Sequence, residues 1–286
     1  MFSSAQRLTL ASLVLFGSGT AFAQGLPTSQ PALLVIGREE IKLGRDADHA
    51  KHEAGWPAAL ERAKSPDYYL AMVAMTGVNE VWYVSPYASN TALAEGTKRD
   101  EADPVLSAEL ARLAKVDGEF LSSVRRIHAA ARPDLSMGDF PDLAKMRFWE
   151  ITIFRVRPGH EAAFETAAKA YRSAAQRSAA ATTRWRLYEV VAGLPGPTYL
   201  VFSSVATFSE FDRGMADAQA IMRGATAEEG AALEKFSKES SLSTETNRFR
   251  LDPTQSYVSK ETRASDSAFW MPKKATSRVA GSPGSQ

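Results

Sequence analysis

The stretch Met146 to Tyr171, MRFWEITIFRVRPGHEAAFETAAKAY, changes its apolar period halfway, and that change constrains the fold more than any other feature of the chain. Phe148, Ile151, Ile153, Phe154 and Val156 lie in a run rich in β-branched and aromatic residues, which predicts a strand. Pro158 and Gly159 stop it. Beyond them Phe164, Ala167, Ala168, Tyr171 and Ala175 recur at spacings of three and four, so an amphipathic helix is expected to about Arg177. A strand that hands over to a helix in this way needs further strands beside it and a cover for its second face.

The strands are at hand. TTRWRLYEVVA from Thr182 and TYLVFSS from Thr198 flank a Gly193-Leu194-Pro195-Gly196-Pro197 turn, and so short a connection makes them an antiparallel hairpin. Helical spacing resumes at Phe208, Phe211 and Met215 and again at Ala232, Leu233 and Phe236. A polar strand from about Ser243 to Arg250 closes the order β-α-β-β-α-β, with one helix added.

The first half of the chain repeats this order more loosely. LLVIGREEIKL reads as a strand, and DADHAKHEAGWPAALERAK as a helix that Gly55 and Pro57 kink or restart. YYLAMVAMTGVNEVWYVSP is a second hairpin, with Gly77 and Asn79 in its turn, and helical segments are expected from Asn90 to Ala131. Gly77 matches Gly193, and His49 matches His160 at the helix starts. A period of roughly 110 residues is too long for a solenoid and fits a duplicated small domain. The halves are expected at residues 33–140 and 146–253, divided where Pro, Gly and Asp cluster. A short linker, 24–32, precedes them, and a tail, 254–286, should dock through Phe269 and Trp270 and be disordered beyond.

Each such unit is an antiparallel sheet with helices on one face, so the α+β class follows and the open faces need a partner. Alternation sends Trp149, Ile151 and Ile153 to one side and Phe148, Glu150, Thr152, Phe154 and Val156 to the other. Both sets are too apolar for water. The simplest cover is the sheet of the other half, packed face to face as an intramolecular barrel. Ile151 and Ile153 are assigned to the helix side, which places Glu150, Thr152 and Phe154 between the sheets as a mixed lining of the kind ligand sites have.

The strand, the RPGHEAAFE turn and helix start, and the later YLVFSSVATFSEFD resemble the dimeric α/β-barrel (ferredoxin-like) superfamily. Within it they are similar to antibiotic-biosynthesis-type monooxygenases and NIPSNAP-like proteins, over Met146 to about Pro253 and more faintly over Leu33 to Pro133. The resemblance implies two fused ferredoxin-like halves. It implies no single activity, because members range from cofactor-free oxygenases to haem degraders.

The first residues set the compartment. Arg7, the apolar run Leu8 to Phe16 and the Ala21-Phe22-Ala23 site make residues 1–23 a cleavable export signal, cut between Ala23 and Gln24. A periplasmic or secreted protein with no membrane span after cleavage is expected. Without Arg7 the 34 basic residues become 33, equal to the 33 acidic ones, which argues against a nucleic-acid partner. With no cysteine, disulfides, thiolate metal sites and cysteine nucleophiles are excluded.

Among residues that carry chemistry, Glu150 ranks first, because a carboxylate in an aromatic strand must be paired, exposed or functionally placed. Arg184 and Arg186 on the neighbouring strand are its expected partners, and a structural ion pair competes with catalysis. Thr152, Phe154, His160, Arg184, Trp185 and Tyr188 complete the ligand-site candidates. His160 at a helix start could hydrogen-bond a ligand, and Trp82, Trp149 and Trp185 are core residues or stacking surfaces. His49 and His52 share a helix face beside Glu53, but no third ligand accompanies them in the sequence, so neither a metal nor a cofactor is expected. His128 reads as part of a solvated basic face. The expected function is binding of a small apolar or aromatic ligand by a monomeric barrel, with catalytic residues unassigned. The alternatives are a cofactor-independent monooxygenase using Glu150, Tyr188 or His160 for proton transfer, and a haem protein with His160 as axial ligand.

Overall fold

The computed structural model of the chain describes residues 25–178 and 183–272. The export signal, its cleavage between Ala23 and Gln24, and the tail beyond residue 272 lie outside the described residues. Eight strands carry the fold: β1 (Leu33–Ile41), β2 (Tyr69–Ala74), β3 (Glu80–Tyr87), β4 (Leu121–Ala131), β5 (Phe148–Val156), β6 (Arg186–Ala192), β7 (Thr198–Val205) and β8 (Ser241–Tyr257). They close into a barrel in the order β1-β3-β2-β8-β5-β7-β6-β4, every pairing antiparallel. The run β4-β1-β3-β2 therefore occupies one side and β8-β5-β7-β6 the other, the second repeating the order of the first.

Helices cover the outside of each run. Over the first lie α1 (Asp46–Glu53), α2 (Gly55–Ala63), α3 (Asn90–Ala102) and α4 (Pro104–Asp117). Over the second lie α5 (Glu161–Arg177), α6 (Glu210–Gly224) and α7 (Ala227–Lys235), and α8 (Lys260–Ser265) and α9 (Ser267–Trp270) end the described chain. Among the described residues no helix is long and apolar enough to cross a membrane.

The barrel interior is a filled apolar core. Leu34, Ile36, Met72, Trp82, Ile127, Trp149, Ile151, Ile153, Leu200, Phe202 and Phe249 are buried together in it. This reverses the expected faces of β5: Ile151 and Ile153 point into the barrel, and Glu150, Thr152 and Phe154 point out, under the helices. A closed eight-stranded interior has no access to water, so the aliphatic set goes there, and the carboxylate takes the face where Arg248 and solvent can reach it.

Two segments depart from their expected form. The chain from Leu121 to Ala131 is strand β4, so His128 sits in a sheet instead of near a helix end. Its only fully buried side chains, Ile127 and Ala129, face the barrel, and its register against all of β1 overrides the helix-like SSVRRIHAAA composition. β8 continues past Arg250 to Tyr257, because the Ser256 hydroxyl accepts from the Ala71 N–H at 2.9 Å where the β2 ladder bulges. Further on, Trp270 is buried with its indole N–H on the Ala144 carbonyl at 3.1 Å, and the Arg147 guanidinium lies 3.8 Å from the Phe269 ring centre.

The β6–β7 turn needs its glycine. Gly193 has φ +95°, and a Cβ there would lie 2.0 Å from the Arg126 carbonyl oxygen of β4.

Candidate functional site

Between the outer face of β5-β7-β6 and helices α5, α6 and α7 lies a cavity of about 450 Å³. Its floor comes from Glu150, Thr152 and Phe154 of β5, Val201 and Ser203 of β7, and Trp185 and Leu187 on the β6 side. Its roof comes from Phe164, Ala167, Ala168 and Tyr171 of α5, Phe211, Gly214, Met215 and Asp217 of α6, and Leu233 of α7. The spacing of three and four in α5 puts its small residues over the floor, and alanines at Ala167 and Ala168 leave volume that larger side chains would fill.

Phe164 stacks on Tyr199 with ring centres 3.9 Å apart, and Phe154 and Phe236 meet Phe164 at 5.6 and 5.4 Å. The Trp185 indole N–H donates to the Leu135 carbonyl at 2.9 Å, which fixes its ring as cavity wall. Tyr171 packs 5.6 Å from Trp185, and burial, with Asp217 and Glu150 nearby, raises its hydroxyl above the ordinary phenol range.

Polar groups enter the cavity from both the sheet and α6. The Arg248 Nε–H donates to Glu150 Oε2 at 3.0 Å, and the same guanidinium lies 4.2 Å from the Phe211 ring centre. Strand register brings this pair together, since Glu150 lies opposite Arg248 on β8 and Ser203 on β7. Thr152 shares a hydrogen bond with Thr246 at 2.9 Å, and the Thr183 hydroxyl donates to Asp217 Oδ2 at 2.9 Å. The site thus combines an aromatic interior with three carboxylates (Glu150, Glu210 and Asp217), three guanidiniums (Arg184, Arg213 and Arg248) and the half-buried phenol of Tyr171.

The sequence candidates divide accordingly. Glu150, Thr152, Phe154, Arg184 and Trp185 line the cavity. Tyr188 faces the barrel core, edge-on to Phe202 at 5.7 Å, and borders a separate space of about 70 Å³ at the barrel end. His160 is outside the lining, with Nδ1 3.0 Å from Ser240 Oγ. The expected partners of Glu150 are corrected: Arg186 donates to the carbonyls of Met137, Trp185 and Gly138, and Arg248 takes the carboxylate. Arg248, Phe211 and Asp217 were missed, because their position depends on β5–β8 pairing and helix packing that no local pattern encodes.

His49 and His52 are each held against carboxylates from other parts of the fold. His49 is fully buried, with Nε2 3.2 Å from Glu39 Oε2 of β1 and 3.9 Å from Glu53 Oε1. His52 Nε2 lies 2.7 Å from Asp117 Oδ1 at the end of α4. Burial, reinforced by Glu39 and Asp117, pushes the Glu53 carboxyl up to about 9. Glu53 Oε1 and His49 Nδ1 are buried without a hydrogen-bond partner.

Neither family descriptions nor curated proteins match this sequence. Solved structures do match the architecture. A candidate monooxygenase from Fusobacterium nucleatum subsp. nucleatum ATCC 25586 superposes with TM-score 0.52 at 9% identity, over 79% of this chain and 94% of its own. An anthrone oxidase-like protein superposes with TM-score 0.53 at 13% identity, over 77% of this chain and 91% of its own. The fold is shared with these ferredoxin-like relatives. At such identities the likeness extends to the closed antiparallel barrel and its helices and stops short of side-chain chemistry.

Proposed function

We propose that this chain is an exported α/β-barrel protein, built by tandem duplication of a ferredoxin-like unit, that binds a small aromatic ligand in the cavity under α5, α6 and α7. The observation that carries this reading is the cavity itself: about 450 Å³, walled by aromatic and aliphatic side chains, with charged groups including Glu150, Asp217, Arg184 and Arg248 in its lining. That volume and lining are those of a site for a small organic molecule with a polar substituent. The repeated strand order supports the duplication, and residues 1–23 support export, with Gln24 the expected first residue of the exported form.

Gly214 provides the test. A Cβ at this position meets nothing within 4 Å, and the residue lines the cavity. Gly214→Leu should fill the site, keep or raise helix stability, and weaken binding of a tricyclic aromatic ketone such as anthrone by at least roughly tenfold. Quenching of Trp185 fluorescence reads the binding, and Trp185→Phe identifies the signal. Equal affinity in Gly214→Leu and the parent would place the ligand elsewhere.

Cofactor-independent oxygenation of an aromatic ligand is the second reading. It is favoured by the Glu150 carboxylate on the cavity wall, where it can accept a proton from a bound phenol or activated C–H. Oxygen uptake with anthrone that is lost in Glu150→Gln while binding persists would support it; binding without uptake leaves a binding protein. A haem would need an axial donor facing the cavity. His160 is turned to Ser240, and no histidine is among the lining residues, so the donor set does not fit a histidine-ligated haem.

A further inference from the structure

The buried cluster on the other side of the barrel is a second site of different chemistry. Glu39 of β1 and His49 and Glu53 of α1 converge so that a ring nitrogen and one oxygen of each carboxylate lie within 4.8 Å of one another. The same Glu53 also belongs to a second group with His52 and Asp117. Donor atoms about 2.1 Å from a common ion in tetrahedral geometry are separated by ~3.4 Å, and the observed separations from His49 Nε2 are 3.2 Å to Glu39 and 3.9 Å to Glu53. His49 and Glu53 retain 0% and 3% exposure, and the Glu53 oxygen facing His49 has no hydrogen-bond partner. A buried carboxylate oxygen without a partner is costly, and the fold does not demand one here. Phe154 stands in β5 where Glu39 stands in β1, seventh from the strand start, and Phe164 in α5 where His49 stands in α1, fourth from the helix start.

We propose that Glu39, His49 and Glu53 bind one first-row divalent metal ion. One imidazole nitrogen and two carboxylate oxygens suit Zn²⁺, Mn²⁺ or Fe²⁺ and offer nothing to soft, thiolate-seeking metals. Two carboxylates, Glu39 and Glu53, face the space, so a dication also balances their charge. The His52–Asp117 pair lies behind Glu53 and orients it as an outer partner.

The test uses the full chain, stripped with chelator, desalted and titrated with Zn²⁺ and, for its visible ligand-field bands, Co²⁺. One ion per chain that survives desalting is expected. Glu39→Gln and Glu53→Gln, close in shape to the parent side chains, should each weaken Zn²⁺ by roughly 100-fold or more, His52→Gln by roughly 10-fold, and His160→Gln not at all. X-ray absorption on the Zn²⁺-loaded parent should show one imidazole and oxygen donors at ~2.0–2.1 Å, independently of whether any variant folds. Zn²⁺ lost on desalting, an absorption spectrum without imidazole scattering, or unchanged affinity in folded Glu39→Gln and Glu53→Gln would overturn the assignment.

Discussion

Glu39 and Phe154 are each seventh in the strand that opens their run, and His49 and Phe164, in place of the expected His160, are each fourth in the helix that follows. In the second half these positions hold an aromatic cluster, Phe154, Phe164, Tyr199 and Phe236, at the end of a cavity large enough for a ligand. In the first half they hold acid and imidazole, and burial raises Glu53 while Tyr83 and Tyr69 beside it are held well above the phenol range. The barrel core is common to both, with Trp82 from one side and Trp149 from the other in the same apolar cluster. One scaffold thus tolerates opposite chemistry under its helices, because the closed barrel supplies the hydrophobic stability and frees the outer faces for other work.

The largest effect that should separate the halves is a pH dependence. Glu53 faces Glu39 from β1, His49 and His52 from α1, Asp117 from α4 and Tyr83 from β3. Its carboxyl ionises near 4.5 in the unfolded chain and near 9 in the folded one. Between those values the folded state holds the extra proton, so this group's contribution is present in full below about 4.5 and declines as pH rises through about 9. In the presence of chelator, denaturant midpoints measured across that range should fall with pH, and Glu53→Gln should flatten the fall. A slope unchanged in Glu53→Gln would mean that the buried acid is not the source and that the two halves are electrostatically alike.

Next in size is the aromatic end of the cavity. Phe164→Ala removes a ring stacked on Tyr199 and packed against Phe154 and Phe236, and should destabilise by ~3–5 kcal/mol. His49→Phe, which copies the second half into the first, should also destabilise, because it leaves the buried Glu53 and the half-buried Glu39 without the imidazole. Chemical denaturation of both variants tests whether each half is specific to its own filling; a neutral His49→Phe would show the polar cluster to be dispensable.

How much of this could be read from the residues varies with the range of the information. The strand-to-helix change at Pro158-Gly159 and the hairpin at Gly193 are local patterns, and both elements form where the pattern puts them. The face of β5 was not legible, because alternation defines two sides and leaves their assignment to the closure of the barrel. β4 was hidden for a related reason: its polar SSVRR segment is a strand only because β1 pairs along it. Glu150, Arg184 and Trp185 stood out as a carboxylate, a cation and an indole on apolar strands. Their neighbour Arg248, and the Glu39 and Asp117 that complete the histidine cluster, come from elements far apart in sequence and carry no local signal.

The smallest expected effect concerns the Glu150–Arg248 ion pair in the cavity wall. Glu150 and Arg248 are 33% and 29% exposed as side chains, so water screens the pair, and Arg248→Met should change stability by no more than ~1 kcal/mol. Its effect on binding should be selective. With the guanidinium gone from beside Phe211 and Glu150, affinity for an anionic aromatic should fall by roughly tenfold, and affinity for its uncharged analogue should hardly move. Titrating both ligands into parent and variant separates the two contributions: equal losses for both would show that Arg248 shapes the wall without reading charge, and the ion pair would then be structural.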